Sequence, residues 1–365
     1  MAETRRSQVS WLMPKVGGRK VINAWAMYDW ANSAFFTTIV AAIFPPFYRS
    51  LAISSGLSEA NATASWAYTT SAALLIVAVI GPLLGAISDQ TGGKKRFIAA
   101  FVALGVLATA MMVFLGEDAY LIASLLFITG NVAVAASNIF YESLLPHITT
   151  PTTIDGVSAK GYALGYLGGG ILLVINMLWY SYPEAFFLPS QTAAVKLSFF
   201  SVAVWWGLFS LPLFRWVPEP HLGQVQIPRP NPLKAGFKSL LKTFQNLMKY
   251  RQLMLFLAAF WLYSDGIGTI MKMAVAYGDE IGIDVSDLVL ALIITQFVGI
   301  PCSFAFGWLA GRIGTRIAIL VGLTVYALIS VGAYFMTSAT HFYILAFAVG
   351  LVQGGTQALS RSLYG

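Results

Sequence analysis

Gly85-Ala-Ile-Ser-Asp89-Gln-Thr-Gly92-Gly-Lys94-Lys95-Arg96 is the stretch from which the rest of the chain is read. It forms a short basic loop between two apolar runs, 66–88 and 97–116, each long enough to cross a bilayer as a helix. Its frame returns 222 residues later as Gly307-Trp-Leu-Ala-Gly311-Arg312-Ile-Gly314-Thr-Arg316, again between two apolar runs. Gly85, Gly92 and Lys94 thereby match Gly307, Gly314 and Arg316. Ser137 and Tyr141 return near the same offset as Ser360 and Tyr364, and Tyr28-Asp29 is echoed by Tyr263-Ser-Asp265. Self-similarity of this kind marks a duplicated unit.

Outward from that loop, apolar runs fill the chain. Of its 365 residues 58% are hydrophobic and only 10% charged, with a mean hydropathy of +0.73. A soluble domain carries about 25% charged residues, so this outer surface must face lipid. Ten spans are expected, near 22–47, 66–88, 97–116, 119–141, 161–180, 196–216, 253–274, 287–308, 316–337 and 340–362. Barrel strands would be half as long and would alternate polar with apolar residues.

Cations fix the expected orientation. With the N-terminus in the cytoplasm, 19 of the 22 Lys and Arg fall on the inner side, and most clustered acids, Glu117-Asp118 and Asp279 to Asp287, fall outside. Both termini of this multi-pass protein are therefore expected in the cytoplasm, the membrane being the inner one if the cell is bacterial. The net charge of +7 does not indicate a nucleic-acid partner, because the cations sit in short loops and not along one face. Arg5-Arg6 loosely matches a twin-arginine signal, but the first run is too long for a signal segment, and a retained helix behind a basic tail is the expectation. Cys302 is the only cysteine, and His147, His221 and His341 are scattered, so neither a metal site nor a cofactor is expected.

The expected organisation is a basic tail at 1–21, a six-helix bundle at 22–216, a cytoplasmic linker at 217–252 and a four-helix portion at 253–365. The linker opens with Pro218, Pro220, Pro228, Pro230 and Pro232. It then carries an amphipathic pattern, Phe237, Leu240, Leu241, Phe244, Leu247 and Met248 among lysines, suited to the membrane interface.

The paired loops resemble the signature loop of the major facilitator superfamily. Trp25-Ala-Met-Tyr28-Asp29-Trp30-Ala31-Asn32-Ser33-Ala34-Phe35, Phe140-Tyr141-Glu142, Gly161-Tyr-Ala-Leu-Gly165-Tyr-Leu-Gly168 and Gln353-Gly-Gly-Thr-Gln357-Ala-Leu-Ser360-Arg361-Ser further resemble the branch of the autophagy-related vacuolar amino-acid effluxers and their bacterial relatives. The resemblance implies an all-α fold of two pseudo-symmetric bundles, the second incomplete, since about ten of twelve helices are visible. It also implies secondary transport of a small polar solute, amino-acid efflux in the fungal members. Position 311 is Gly where the loop usually has an acid, and the helix that Asp89 is expected to face lies beyond the tenth span. A non-transporting membrane binding or scaffold protein, or a transporter fragment, is the alternative reading.

No phosphate-binding loop, zinc-protease motif or nucleophile elbow is present, so an ATP-driven pump or a hydrolase is not indicated. What remains is polar residues within apolar runs, each costly to place there. Asp29, Asn32, Ser33 and Thr37 share one face of the first span, and Asp265 and Thr269 one face of the seventh. Asn131, Asn138 and Glu142 mark the fourth span, and Gln353, Gln357, Ser360, Arg361 and Tyr364 form a stripe on the tenth. The resemblance places spans one, four, seven and ten around a central cavity. For Asp29 and Asp265, proton coupling and a structural helix–helix bond both remain open. For Arg361, gating and a positive-inside anchor remain open. Gating-loop candidates are Gly85, Asp89, Gly92, Lys94, Lys95, Arg96, Arg312 and Arg316. The partners expected are the bilayer, a solute and protons, with the chain acting as a monomer.

The charge asymmetry is directly testable. With Cys302 replaced by Ser and single cysteines placed in each loop, an impermeant maleimide applied to intact cells should label 279–287 and spare 234–249. The reverse pattern would overturn the orientation.

Overall fold

Backbone amides that enter a bilayer find no water, so each apolar run must close its hydrogen bonds on itself. The computed structural model describes residues 17–91, 93–220 and 250–364. In chain order these form α1 (Arg19–Ala34) with a π-helical continuation (Phe35–Ala42), α2 (Phe44–Ser54), α3 (Glu59–Thr91), α4 (Lys94–Met111), α5 (Tyr120–Glu142) and α6 (Leu145–Ile148). They continue as α7 (Ile154–Ser181), α8 (Gln191–Trp216), α9 (Arg251–Glu280), α10 (Val285–Ile313), α11 (Thr315–Tyr334) and α12 (Ala339–Tyr364). Among the described residues nine helices are long and apolar enough to cross a membrane, and α1 with its continuation and α2 form a bent tenth. The ten expected spans are thus all present in an integral, multi-pass protein. The tail ahead of Gly17, the linker helix at 234–249, Gly92 and the side chains of Asp89, Lys272 and Tyr364 lie outside the described residues.

The first span departs most from its expected shape. Past Ala34 it winds as a π-helix, with the Ile43 amide donating to Thr38 O five residues back at 2.8 Å. Pro45 and Pro46 then open α2, where their missing amides cost nothing, and the axis bends by 45°. Several other spans overrun their apolar cores at the ends, because polar residues at the head groups can still continue a helix. Both signature loops turn on a glycine at positive φ, Gly93 at 75° and Gly314 at 90°.

Helices α1 to α8 build the first bundle around a large aromatic core that includes Trp25, Phe35, Phe44, Phe127 and Trp206. Helices α9 to α12 build the second. Lipid chains are as apolar as leucine, so close helix contact here depends on small residues. Along α7, Gly165, Gly168 and Gly169 admit the backbone of α1, and a Cβ on Gly168 would stand 2.7 Å from Trp30 O. Gly354 and Gly355 do the same for α12 against Ser303 and Phe306 of α10.

The bundles meet along α7, which packs on both α10 and α12. The Tyr166 ring reaches from α7 into the second bundle, where Gly299 and Gly354 leave it room. Helices α7 and α12 are accordingly well buried, at 56% each, against 11% for α3 and 6% for α9.

Gly168→Ala should destabilise the fold by about 1–3 kcal/mol, because the Trp30 carbonyl belongs to a helix that cannot yield. Gly156→Ala, on the same helix with open space around it, should be neutral or gain up to about 1 kcal/mol. Thermal unfolding in detergent, followed by tryptophan fluorescence, separates the two; equal melting temperatures would refute the packing argument.

Candidate functional site

The basic loops gather at one end of the molecule. There Gly17 N donates to Ile148 O at 3.0 Å, Lys94 Nζ to Ser143 O at 3.2 Å and Lys95 Nζ to Val217 O at 2.8 Å. The Lys95 amide donates to Glu219 Oε2 at 3.1 Å. Three gating-loop candidates are therefore placed differently from one another: Lys94 is buried, Lys95 is bonded within the first bundle, and Arg96 is exposed. Gly85 is half-buried with open space where a Cβ would stand. In the second loop Arg312 lies exposed over the Trp308 ring at 4.2 Å, and Arg316 is exposed as well. The contact this loop makes between bundles is carried instead by Thr315 Oγ1, which donates to Asp155 Oδ2 at 2.9 Å.

Nearby, Arg361 of α12 is buried. Its Nη1 donates to Asp29 Oδ2 of α1 at 2.9 Å, its Nε to Ser158 Oγ of α7 at 2.9 Å, and its Nη2 to Ser158 O at 2.7 Å. Ser158 Oγ in turn donates to Ala358 O at 2.7 Å, so one serine holds α12 by three bonds. The guanidinium also lies 4.3 Å from the centre of the Tyr162 ring and 4.8 Å from that of Trp25, with Tyr141 at 5.9 Å. A ring face attracts a cation, most strongly where water is excluded. Gly161 makes the approach possible, since a Cβ there would collide with Asp29 Oδ2 and press on Arg361 Nη2 and Trp25. Asp29 and Arg361, read separately in the sequence, thus form one ion pair between the bundles.

The repeat is also visible as a hydrogen bond. Tyr28 OH donates to Ser137 Oγ at 2.7 Å in the first bundle, and Tyr263 and Ser360 share a bond of 2.8 Å in the second. With Tyr263 in the place of Tyr28, the residue in the place of Asp29 is Ser264. Asp265 falls one residue on, about 100° round the helix, and is exposed on α9 away from the cavity. The two acids therefore do not occupy corresponding places. By the same equivalence Arg361 takes the place of Asn138, whose Oδ1 accepts from Asn32 Nδ2 at 2.8 Å.

A cavity of about 440 Å³ lies between the bundles. The first contributes Glu142 and Ser143 from the end of α5 and Tyr162 from α7; the second contributes Tyr263, Ser264 and Ile267 from α9 and Thr356, Gln357, Ser360 and Arg361 from α12. Spans four, five, seven and ten line it, while Asp29 of span one stands behind Arg361. Glu142 is exposed to this space. Asn131 is buried in α5 away from it, Ser33 faces Gly165 of α7, and Gln353 sits one turn beyond Gln357. Ser158 and Asp155 carry no mark in the sequence, and Thr315 and Tyr166 stand inside the quoted motifs without a role of their own. The only signal was Gly161, one turn from Ser158 on the same face.

A family model described as "Vacuole effluxer Atg22 like" matches residues 17–365. The chain is 39% identical over 343 residues to the uncharacterized MFS-type transporter YxiO of Bacillus subtilis strain 168, covering 94% of this chain and 79% of that protein. It is 24% identical to autophagy-related protein 22 of Coccidioides immitis, of whose length it spans 62%. Among solved structures it resembles the proton:xylose symporter XylE (TM-score 0.64, 13% identity, 94% of this chain and 85% of that one). It resembles the human organic anion transporter MFSD10 similarly (TM-score 0.65, 12% identity, 94% and 85%). The chain therefore belongs to the Atg22-like family of major facilitator transporters.

Proposed function

We propose that this transporter exports a small polar solute, amino acids being the first class to test, by rocking its bundles about the cavity between α5, α7, α9 and α12, with proton uptake at Asp29 as the coupling step. The basic end is assigned to the cytoplasm on the distribution of lysine and arginine. The observation that carries the reading is the Asp29–Arg361 pair, because it joins the bundles at that end, beside the cavity.

A proton on Asp29 removes the only carboxylate bonded to Arg361 among the described residues. Removing one partner of a buried pair costs about 3–5 kcal/mol, since the other charge stays in low dielectric. That cost is relieved when the bundles part and Arg361 reaches water. Protonation thereby favours opening of the basic end, and loss of the proton favours the latched state. Glu142, exposed in the cavity wall, is placed to meet a cationic group of the solute.

Purified protein in liposomes, screened for amino-acid flux with and without a pH gradient, tests the proposal. Asp29→Asn keeps size and hydrogen bonding but cannot cycle a proton, so it should abolish the response to the gradient while solute exchange persists. Flux that keeps its full pH dependence in Asp29→Asn would make this acid structural. Gly161→Ala, which wedges the pair apart from a third helix, should increase cysteine accessibility in the cavity from the basic end; unchanged accessibility counts against the latch.

A further inference from the structure

Two carboxamides on α12 share a weak partner. Gln353 Nε2 donates to Met271 Sδ of α9 at 3.3 Å, and Gln357 Nε2 reaches the same sulfur at 3.6 Å. A thioether is among the poorest acceptors a protein offers. Gln353 is 3% exposed, so its amide has little water to turn to, while Gln357 lines the cavity.

Around them three buried hydroxyls have no hydrogen-bond partner among the described residues: Thr356 of α12, Tyr326 of α11 and Tyr166 of α7. The Tyr166 ring stands against Gly354, the neighbour of Gln353 in α12, and Tyr326 packs in the same cluster as Met271. Gly299 and Gly354 hold the Tyr166 ring there, so this hydroxyl cannot simply swing to water. Native interiors rarely leave such groups unpaired, because each forfeits its bonds to water.

The cluster is rich in donors and, among the described side chains, holds no charge of its own. One turn beyond Gln357, Arg361 is neutralised by Asp29 and bonded to Ser158. Groups of this kind suit the oxygen acceptors of a carboxylate or carboxamide.

We propose that Gln353 and Gln357 are solute-binding donors held in reserve on Met271, whose sulfur stands where a solute oxygen acceptor binds, with Thr356 and the first bundle's Tyr166 completing the site. The proposal rests on the transport reading of the adjoining cavity. It adds a competitor inside the protein: each solute molecule must take the amides from the sulfur.

Met271→Leu keeps the volume and removes the competing acceptor, a swap that cores tolerate well. The full chain in nanodiscs is titrated with 14C-labelled L-leucine, and with 3-methylbutylamine, the same molecule without its carboxylate. Met271→Leu should bind L-leucine about three- to tenfold more tightly, the effect of losing one or two weak internal hydrogen bonds, and leave the amine unchanged. Gln353→Leu with Gln357→Leu, checked for a parental melting curve, should lose L-leucine binding by tenfold or more. Unchanged or weaker L-leucine binding in Met271→Leu overturns the proposal, as does an equal gain for the amine or no binding of either probe to the well-folded variant. Tightened binding with no flux in liposomes sinks the transport reading alone; flux without tightened binding sinks this inference alone.

Discussion

A guanidinium that leaves water within a membrane protein must find opposite charge and acceptors close at hand, and much of this architecture follows from meeting that demand for Arg361. A charge at the centre of a membrane helix costs about 2.5–3.5 kcal/mol on insertion scales, and more where lipid cannot deform around it. Asp29 supplies the countercharge, Ser158 two acceptors, and Trp25 and Tyr162 their ring faces. These groups come from three helices, so the helices must approach more closely than ordinary side chains permit. The absence of a side chain at Gly161 is what allows it, and the glycines further along α7 keep α1 close for the rest of the span.

The internal repeat makes the asymmetry of the two bundles plain. Tyr28 with Ser137 and Tyr263 with Ser360 form the same bond in the same place. The residue after the serine is Asn138 in one bundle and Arg361 in the other. Asn138 is satisfied within its own bundle by Asn32, whereas Arg361 is satisfied only across the divide. The same seat thus carries an internal bond in one bundle and a bond between bundles in the other.

Much of this was legible in the sequence because membrane folding is governed by run length and charge placement. The ten spans, the duplicated loops and the polar stripe on the tenth span were all readable from composition and period. Pairings were not. Asp29 and Arg361 stand 332 residues apart, and nothing local in either span names the other. The supposed match of Asp29 with Asp265 failed by one residue, because a helix turns by about 100° at each step and a neighbour in sequence can lie on a different face. Ser158 and Thr315 were invisible for a different reason: hydroxyls are common in membrane helices, and only geometry distinguishes one that bonds an arginine or an aspartate across the bundles from one that caps its own backbone. The bend in the first span had a signal in Pro45-Pro46, whereas its π-helical winding had none.

Helix α7 carries contacts with the second bundle at Asp155, Ser158, Tyr166 and Gly170. In the rocking motion proposed above, α7 is a lever seated at Tyr166, with its fulcrum inside the load. Asp155 lies eleven residues from that point, about 16 Å along the axis, so a tilt of about 20° carries it some 6 Å sideways. A displacement of that size is about twice the length of the Asp155 hydrogen bond, while Tyr166 itself scarcely moves. The bonds at Asp155 and Ser158 must then fail together, as a zip parts once its first tooth is free, and partial opening has few ways to persist.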